Sequence, residues 1–158
     1  MSTTLRDANV TLIRAAGIIV FRVLMGPKVE YLLLQSSKKP HHWTSPKGHL
    51  EGDETEMEAA YRETREESGL LQEHLRLIKG SQIPLEYTVH GKPKRVTYWI
   101  AELIDPETPV IISREHQAFA WATLERAKEL VGYDDAIKFM EKCHPIIMSD
   151  LNAEKPAE

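Results

Sequence analysis

The sequence feature that most constrains the fold is an acidic, helix-forming segment at about residues 54–68. Glu63, Glu66 and Glu67 occupy positions i, i+3 and i+4, and a helix brings such side chains within about 5–6 Å of one another at the β-carbon. Three like charges at this spacing repel each other, and hard divalent cations with oxygen ligands offset such repulsion well. The spacing therefore suits a cation-binding helix face. A charge run taken by itself, however, is more often solvated surface, so the surrounding pattern has to decide between the two.

Local signals mark both ends of this helix. Asp53 with Glu56 three residues later has the spacing of an N-terminal capping box, and Gly69 stands where a left-handed C-terminal cap is expected. Arg62 precedes Glu66 by four residues, so we expect it to reach and orient that carboxylate. The residues at spacings of four and three on another side are predicted to face the core: Met57, Tyr61, Thr64 and Ser68.

The length and composition of the chain indicate one soluble domain. The chain has 158 residues, of which 42% are hydrophobic and 28% charged, so we expect a single domain over 10–145 with flexible tails at 1–9 and 146–158. Its one cysteine, Cys143, excludes an internal disulfide, and with no visible secretory signal a cytoplasmic location is expected. No apolar run approaches the roughly 18 residues of a membrane span. The net charge of −4 disfavours a stable nucleic-acid partner.

The hydrophobic pattern predicts an α+β fold. Apolar segments typical of strands occur at 15–23, 29–35, 95–103 and 117–122. Further helices are predicted at 124–131 and 134–143. Strands, then the acidic helix, then more strands and two final helices indicate a mixed β-sheet covered by helices.

The acidic helix belongs to a longer pattern. Gly48 is followed by five residues and Glu54, then by seven residues and the run RETREESGL at 62–70. This resembles the Nudix box, and the one departure is Thr64, where an aliphatic residue is usual. The resemblance implies the Nudix fold, a mixed sheet sandwiched between helices. It also implies metal-dependent attack of water on a nucleoside diphosphate linked to another group.

The resemblance also implies roles for individual residues. The implied catalytic residues are Glu63, Glu66, Glu67, Arg62 and Lys47. The implied metal ligands are Gly48, Glu63, Glu66, Glu67 and Glu115, and the expected cofactor is Mg²⁺ or another divalent cation such as Mn²⁺. Glu115 lies outside the box, and taken alone it would be an ordinary surface glutamate. The residues do not indicate which glutamate removes a proton from the attacking water.

Segments outside the box resemble one branch of the family, the animal-type asymmetrical diadenosine tetraphosphate hydrolases. These segments are HHWTSPKGH at 41–49, LLLQ at 32–35, KPK at 92–94, YW at 98–99 and EHQ at 115–117. Ser45 stands where the branch has proline, which should alter loop stiffness more than chemistry. The likeness extends over about residues 14–142. It implies cleavage of a small molecule, diadenosine tetraphosphate, to AMP and ATP by a monomeric enzyme.

The branch also implies a substrate-binding set: His42, Lys47, Tyr87, Lys92, Lys94 and Tyr133. A chain of four phosphates needs several cations, which His42 and the lysines would supply. Tyr87 and Tyr133 would stack on adenine, a contact worth roughly 1–3 kcal/mol. Each residue has an ordinary alternative, because lysines near the expected 91–93 turn are usually solvated and a strand tyrosine is usually core.

Two other functions fit the same box. One is a Nudix hydrolase of another substrate, such as capped RNA, diphosphoinositol phosphates or damaged nucleotides. The other is a nucleotide-sensing module that binds without cleaving. The signature of such a module would be loss of a box glutamate, and all of them are present in this chain.

Overall fold

The computed structural model describes residues 11–153. The predicted tail at 1–9 and the end of the other tail, 154–158, lie outside these residues. The strands are β1 (Ile13–Leu24), β2 (Lys28–Ser36), β3 (Trp43–Thr44), β4 (Lys47–His49), β5 (Leu75–Leu77), β6 (Ile83–Val89), β7 (Lys92–Leu103) and β8 (His116–Ala122). The helices are α1 (Glu56–Ser68), α2 (Leu124–Val131) and α3 (Asp134–Ala153), with a short 3-10 turn at Gln72–His74.

The strands form one mixed sheet around β1. On one side β1 runs parallel to β7, from the pair Ile13 and Lys94 to the pair Phe21 and Glu102. On its other side β1 is antiparallel to β4 near its start and to β2 near its end. β2 also pairs with β3 and β8, and β7 with β5 and β6, all antiparallel. The predicted mixed sheet is confirmed.

Alternate residues of the central strands build two cores, one on each face of the sheet. Ile18 and Val20 belong to the cluster that α1 covers with Ala59 and Ala60. The alternate residues Ile19 and Phe21 belong to the cluster that α2 and α3 cover. Because successive strand side chains point to opposite faces, a fully apolar strand serves both layers. The predicted sandwich of a sheet between helices is therefore confirmed.

The start of α1 differs from the prediction. Thr55, not Asp53, is the N-cap: its hydroxyl accepts from the Glu58 amide at 3.1 Å, and the Glu58 carboxylate accepts from the Thr55 amide at 2.8 Å. The predicted box of Asp53 with Glu56 is therefore wrong. The reason is competition, since Thr55 with Glu58 has the same spacing two residues later. Gly69 ends the helix with φ 76°, as predicted.

The buried face of α1 is also rotated from the prediction. Met57 is 37% exposed, and Tyr61 is only partly buried. The fully buried positions are mainly small residues: Ala59, Ala60, Thr64 and Ser68. Small side chains let the helix lie close to the sheet, and the hydroxyls of Thr64 and Ser68 donate to carbonyls four residues earlier. Thr64 therefore packs where the family pattern has an aliphatic residue.

The β6–β7 hairpin turns earlier than expected. Val89 pairs with Lys92, so the turn consists of His90 and Gly91, with φ 50° and 78°. Two positive φ values are typical of the tight type I′ hairpin turn, whose twist matches the strands. The expected turn at 91–93 is therefore wrong, and Lys92 lies on β7 instead.

The last helix is longer than predicted. α3 continues through Pro145 to Ala153, and Ile147 is completely buried against the α2–α3 side of the sheet. The expected flexible tail from 146 is thus wrong for 146–153, because burial of this turn outweighs the missing proline hydrogen bond. Among residues 11–153, no helix is long and apolar enough to cross a membrane.

Candidate functional site

β4 brings the box helix and the sheet together. Alternation along this strand turns Lys47 and His49 toward the α2–α3 side, while Gly48, paired with Ala16, faces α1. A β-carbon on Gly48 would overlap the carboxylate of Glu63. Only glycine leaves room for this carboxylate against the strand, which explains its place in the sequence pattern.

Arg62 organises the carboxylates of the site. Its Nε and Nη2 donate to both oxygens of Glu54, at 2.6 and 3.0 Å. Its Nη1 donates to Glu63 and Glu66, each at 3.1 Å, and Nη2 also donates to the His49 carbonyl at 3.0 Å. The predicted contact with Glu66 is confirmed. Arg62 lowers the pKa of Glu54 to about 2, so Glu54 remains charged and holds the arginine in place.

Glu67 is the most deeply placed of the three helix glutamates. It is 7% exposed, and its Oε1 accepts from the backbone amide of Lys47 at 3.1 Å. Burial raises its pKa to about 7, and the charges of Glu63 and Glu115 act in the same direction. Burial also raises the pKa of Glu63, although Arg62 opposes the change. The charged form of both carboxylates is therefore disfavoured by desolvation, and a nearby cation would offset this free-energy cost.

The residues present fit a partly hydrated divalent cation. Glu115 is exposed, and its charge raises the pKa of both Glu63 and Glu67, so it lies near them. Glu66 has a side chain that is 49% exposed. Over 11–153, no three His, Cys, Asp or Glu side chains converge as a closed cage would require. Mg²⁺ needs only one or two carboxylates, because it keeps several waters and meets substrate phosphates.

On the α2–α3 side of the sheet, β1 separates β4 from β7 through the buried residues Ala15 and Gly17. We call the basic region formed on this side by Lys47, His49 and Lys94 the groove. A β-carbon on Gly17 would overlap the Pro46 carbonyl and the side chain of Lys47, so glycine is needed for this close approach.

Two strands contribute positive charge to this groove, β4 through Lys47 and β7 through Lys94. Lys94 faces Tyr87 across the β6–β7 pair, with its Nζ 5.7 Å from the ring centroid. Burial and then Lys47 lower the pKa of Lys94. Burial, then Lys94 and Lys47, likewise lower the pKa of His49. These groups are therefore close enough to repel one another, and an anion between them would relieve the repulsion.

The remaining predicted substrate residues are His42, Tyr133 and Lys92. The Tyr133 hydroxyl hydrogen-bonds the imidazole of His42, and their ring centroids are 4.9 Å apart. Tyr133 follows Gly132, which ends α2 with φ 73°, and it is 50% exposed. Lys92 is exposed at the start of β7, two residues before Lys94 and on the same strand face.

Sequence reasoning missed three residues of this region. Glu54 anchors Arg62, and its fixed position in the box pattern was a usable signal. His49 shares a strand face with Lys47, which the alternation about Gly48 could have indicated. His116 has a buried Nδ1 without a hydrogen-bond partner among residues 11–153, and burial and then Lys47 lower its pKa. The EHQ segment at 115–117, which carries part of the family resemblance, was a usable signal for His116.

Comparison with known proteins agrees with this geometry. A NUDIX domain model matches residues 11–143. The asymmetrical bis(5'-nucleosyl)-tetraphosphatase of Sus scrofa is 42% identical over 142 residues, covering 87% of this chain and 97% of the relative. The enzyme of the same name from Caenorhabditis elegans is 43% identical over 130 residues, covering 82% and 93%. A crystal structure described as a C. elegans Ap4A hydrolase binary complex superposes with TM-score 0.83 at 41% identity, covering 87% of this chain and 98% of the other. This chain belongs to the Nudix family.

Proposed function

We propose that this protein is a metal-dependent hydrolase that cleaves diadenosine tetraphosphate asymmetrically into AMP and ATP. The observation that carries the proposal is the opposition of charge across β4. Buried carboxylates with raised pKa lie on its α1 side, and mutually repelling cationic groups line the groove on its other side. The name shared by the curated relatives supports this substrate.

The groove residues would bind the polyphosphate. Lys47, Lys94 and His42 neutralise phosphate oxygens, and Lys92 adds charge at the open end of β7. Binding an anion removes the repulsion between Lys47 and Lys94, so part of the binding free energy comes from relief of strain already in the free protein.

The two tyrosines would hold one adenosine. The Lys94 ammonium lies near the ring of Tyr87, so a phosphate bound to this lysine would place the attached nucleoside beside the tyrosine. Tyr133 is half exposed, and its ring would stack on a base after giving up the hydrogen bond to His42. An aromatic face stacks with any base, so the tyrosines supply affinity, and base identity must be read elsewhere.

Mg²⁺ or Mn²⁺ would be held by the Gly48 carbonyl and four carboxylates, those of Glu63, Glu66, Glu67 and Glu115. Such a cation, when bound, lowers the pKa of a coordinated water and neutralises charge at phosphorus. Arg62 keeps Glu63 and Glu66 aimed at one place, and the Lys47 amide does the same for Glu67. This fixed orientation is the contribution of the protein to positioning.

In the reaction one water is consumed. Its oxygen forms a bond to phosphorus, and the anhydride bond between an adenosine-bearing phosphate and its neighbour breaks. The bridging oxygen leaves with one product, and the proton of the water is taken up by a carboxylate of the site. The products are AMP and ATP in equal amounts.

Product analysis by ion-exchange chromatography tests this proposal. Equal AMP and ATP in the presence of Mg²⁺ is the expected result, and ADP as sole product would reject asymmetric cleavage. A turnover panel with capped RNA, diphosphoinositol phosphates and oxidised nucleotides compares the alternative substrates. Stable binding with no cleavage in Mg²⁺, measured by titration calorimetry, would instead indicate a sensing module.

A matched pair of variants tests the site. Glu67→Gln removes the buried charge with little change of shape, and it should abolish most turnover. Glu125→Gln makes the same change at an α2 side chain that is 83% exposed, and it should leave turnover unchanged. Near-wild-type turnover of Glu67→Gln with saturating metal would reject this assignment.

The protein is further proposed to act as a cytoplasmic monomer with no lasting nucleic-acid partner. Sedimentation of the purified protein tests the monomer, and imaging of the tagged full-length chain tests the location.

A further inference from the structure

A cavity of about 780 Å³ lies on the outer side of α1 and takes no part in the proposed chemistry. Its lining combines large side chains with apolar surface, Met57, Tyr61 and Leu71, with polar and charged ones, Glu58, Arg62, Arg65, Gln72 and Glu73. Met57 and Leu71 are 37% and 38% exposed. The apolar surface of these side chains is therefore accessible, and polar groups lie beside it, as in the lining of small-molecule pockets.

The cavity adjoins the catalytic carboxylates. Arg62 lines it while donating to Glu63 and Glu66. Going around α1 from Glu63, Glu66 lies at about 60°, Arg62 at about 100° and Arg65 at about 160°, all in the same sense. The cavity therefore begins where the carboxylate face ends, and only the half-exposed Glu66 and the side chain of Arg62 lie between them.

We infer that this cavity holds the second nucleoside of a dinucleoside polyphosphate, the one released as the nucleoside monophosphate. The inference rests on the proposed function, in which the substrate carries two adenosines. Tyr87 and Tyr133 take one of them at the groove, and the scissile bond lies at the α1 carboxylates. The other nucleoside extends from the scissile bond on the far side, and the α1 cavity is a concave surface next to the carboxylates.

The chemistry of the lining suits a purine. Met57, Tyr61 and Leu71 offer apolar surface to a base, and the planar guanidinium of Arg65 stacks on its other face. Glu73 and the carbonyl of Gln72 accept hydrogen bonds, so they match the exocyclic amine of adenine. Arg65 is exposed, so its guanidinium is accessible to a ligand.

The test compares two substrates with one variant. Adenosine 5'-tetraphosphate has the same phosphate chain but no second nucleoside, and the equivalent cut gives ATP and phosphate. Arg65→Ala should lower kcat/KM for diadenosine tetraphosphate by about fivefold or more, the effect of losing one base contact. The same variant should leave kcat/KM for adenosine 5'-tetraphosphate unchanged.

Three further variants sharpen the comparison. Leu71→Ala should show the same selective loss, and Arg65→Lys should restore little, because a lysine has no planar group to stack. Arg126→Ala, at an α2 side chain that is 62% exposed, is the matched control and should affect neither substrate.

An equal fall for both substrates would overturn the inference, because it would mean that the metal site was disturbed. No change in either Arg65→Ala or Leu71→Ala would also overturn it. Failure of the wild-type protein to form AMP and ATP would instead reject the proposed function, so the two failures are distinguishable.

Discussion

Replacing Glu67 by glutamine should stabilise the metal-free protein while removing its activity. Glu67 is 7% exposed, and burial is the largest cause of its raised pKa. Glutamine keeps the shape and an oxygen that accepts from the Lys47 amide, but it carries no charge to desolvate. The variant therefore separates the free energy of folding from the requirement for a cation ligand.

The size of the effect follows from the pKa. The pKa rises from 4.5 to about 7 on folding, which corresponds to about 3 kcal/mol against the charged form well above pH 7. Because the folded-state pKa lies above the unfolded-state value, the contribution of Glu67 to stability is greatest below pH 4.5. This contribution is lost as the pH rises through 7. The glutamine variant lacks this dependence.

Urea unfolding followed by tryptophan fluorescence in EDTA measures this difference. At pH 8 the variant should be more stable than the wild type by up to about 3 kcal/mol, and at pH 5 the two should differ far less. Saturating Mg²⁺ should stabilise the wild type more than the variant, because ligand binding to the folded state adds to stability. Glu125→Gln should show neither effect. A variant that is less stable than wild type at pH 8 in EDTA would refute the argument.

Two other substitutions test separate parts of the structure. Gly48→Ala places a β-carbon in the position of the Glu63 carboxylate, so the Mg²⁺ concentration for half-maximal turnover should rise about 10- to 100-fold; an unchanged Mg²⁺ dependence would contradict this packing. Thr55→Ala removes the hydroxyl that caps α1 at Glu58, so the free energy of unfolding in urea should fall by about 1 kcal/mol with KM unchanged. A shifted KM would mean that the cap also positions substrate groups.

The local signals in the sequence predicted the type of each main element better than its ends. Two capping boxes of identical spacing overlap at the start of α1, and only the native pairing of Thr55 with Glu58 distinguishes them. Pro145 signals a helix end, yet Ile147 is buried and the helix continues. Such choices depend on contacts between residues far apart in the chain, which local patterns do not contain.

In the site, too, contacts within one element were predictable and contacts between distant parts of the chain were not. The spacing of the box predicted that Arg62 would reach Glu66, because that contact lies within one helix. It did not predict that Glu54 accepts from both Nε and Nη2 of Arg62, because that contact needs the chain before the helix to fold back. The proximity of Lys94 to Lys47 was harder still to predict, because it depends on β4 and β7 both pairing with β1.

The short strand β4 makes binding and cleavage depend on one register. A shift of one residue against β1 would turn Lys47 toward α1 and remove its positive charge from the groove. The Ile18 amide, which donates to the Pro46 carbonyl at 3.1 Å, fixes that register. Two glycines make the arrangement possible, since Gly17 lets β4 approach β1 and Gly48 lets Glu63 approach β4. A side chain at either glycine would therefore be expected to move the lysine and the carboxylates relative to each other, so both substrate affinity and turnover should respond.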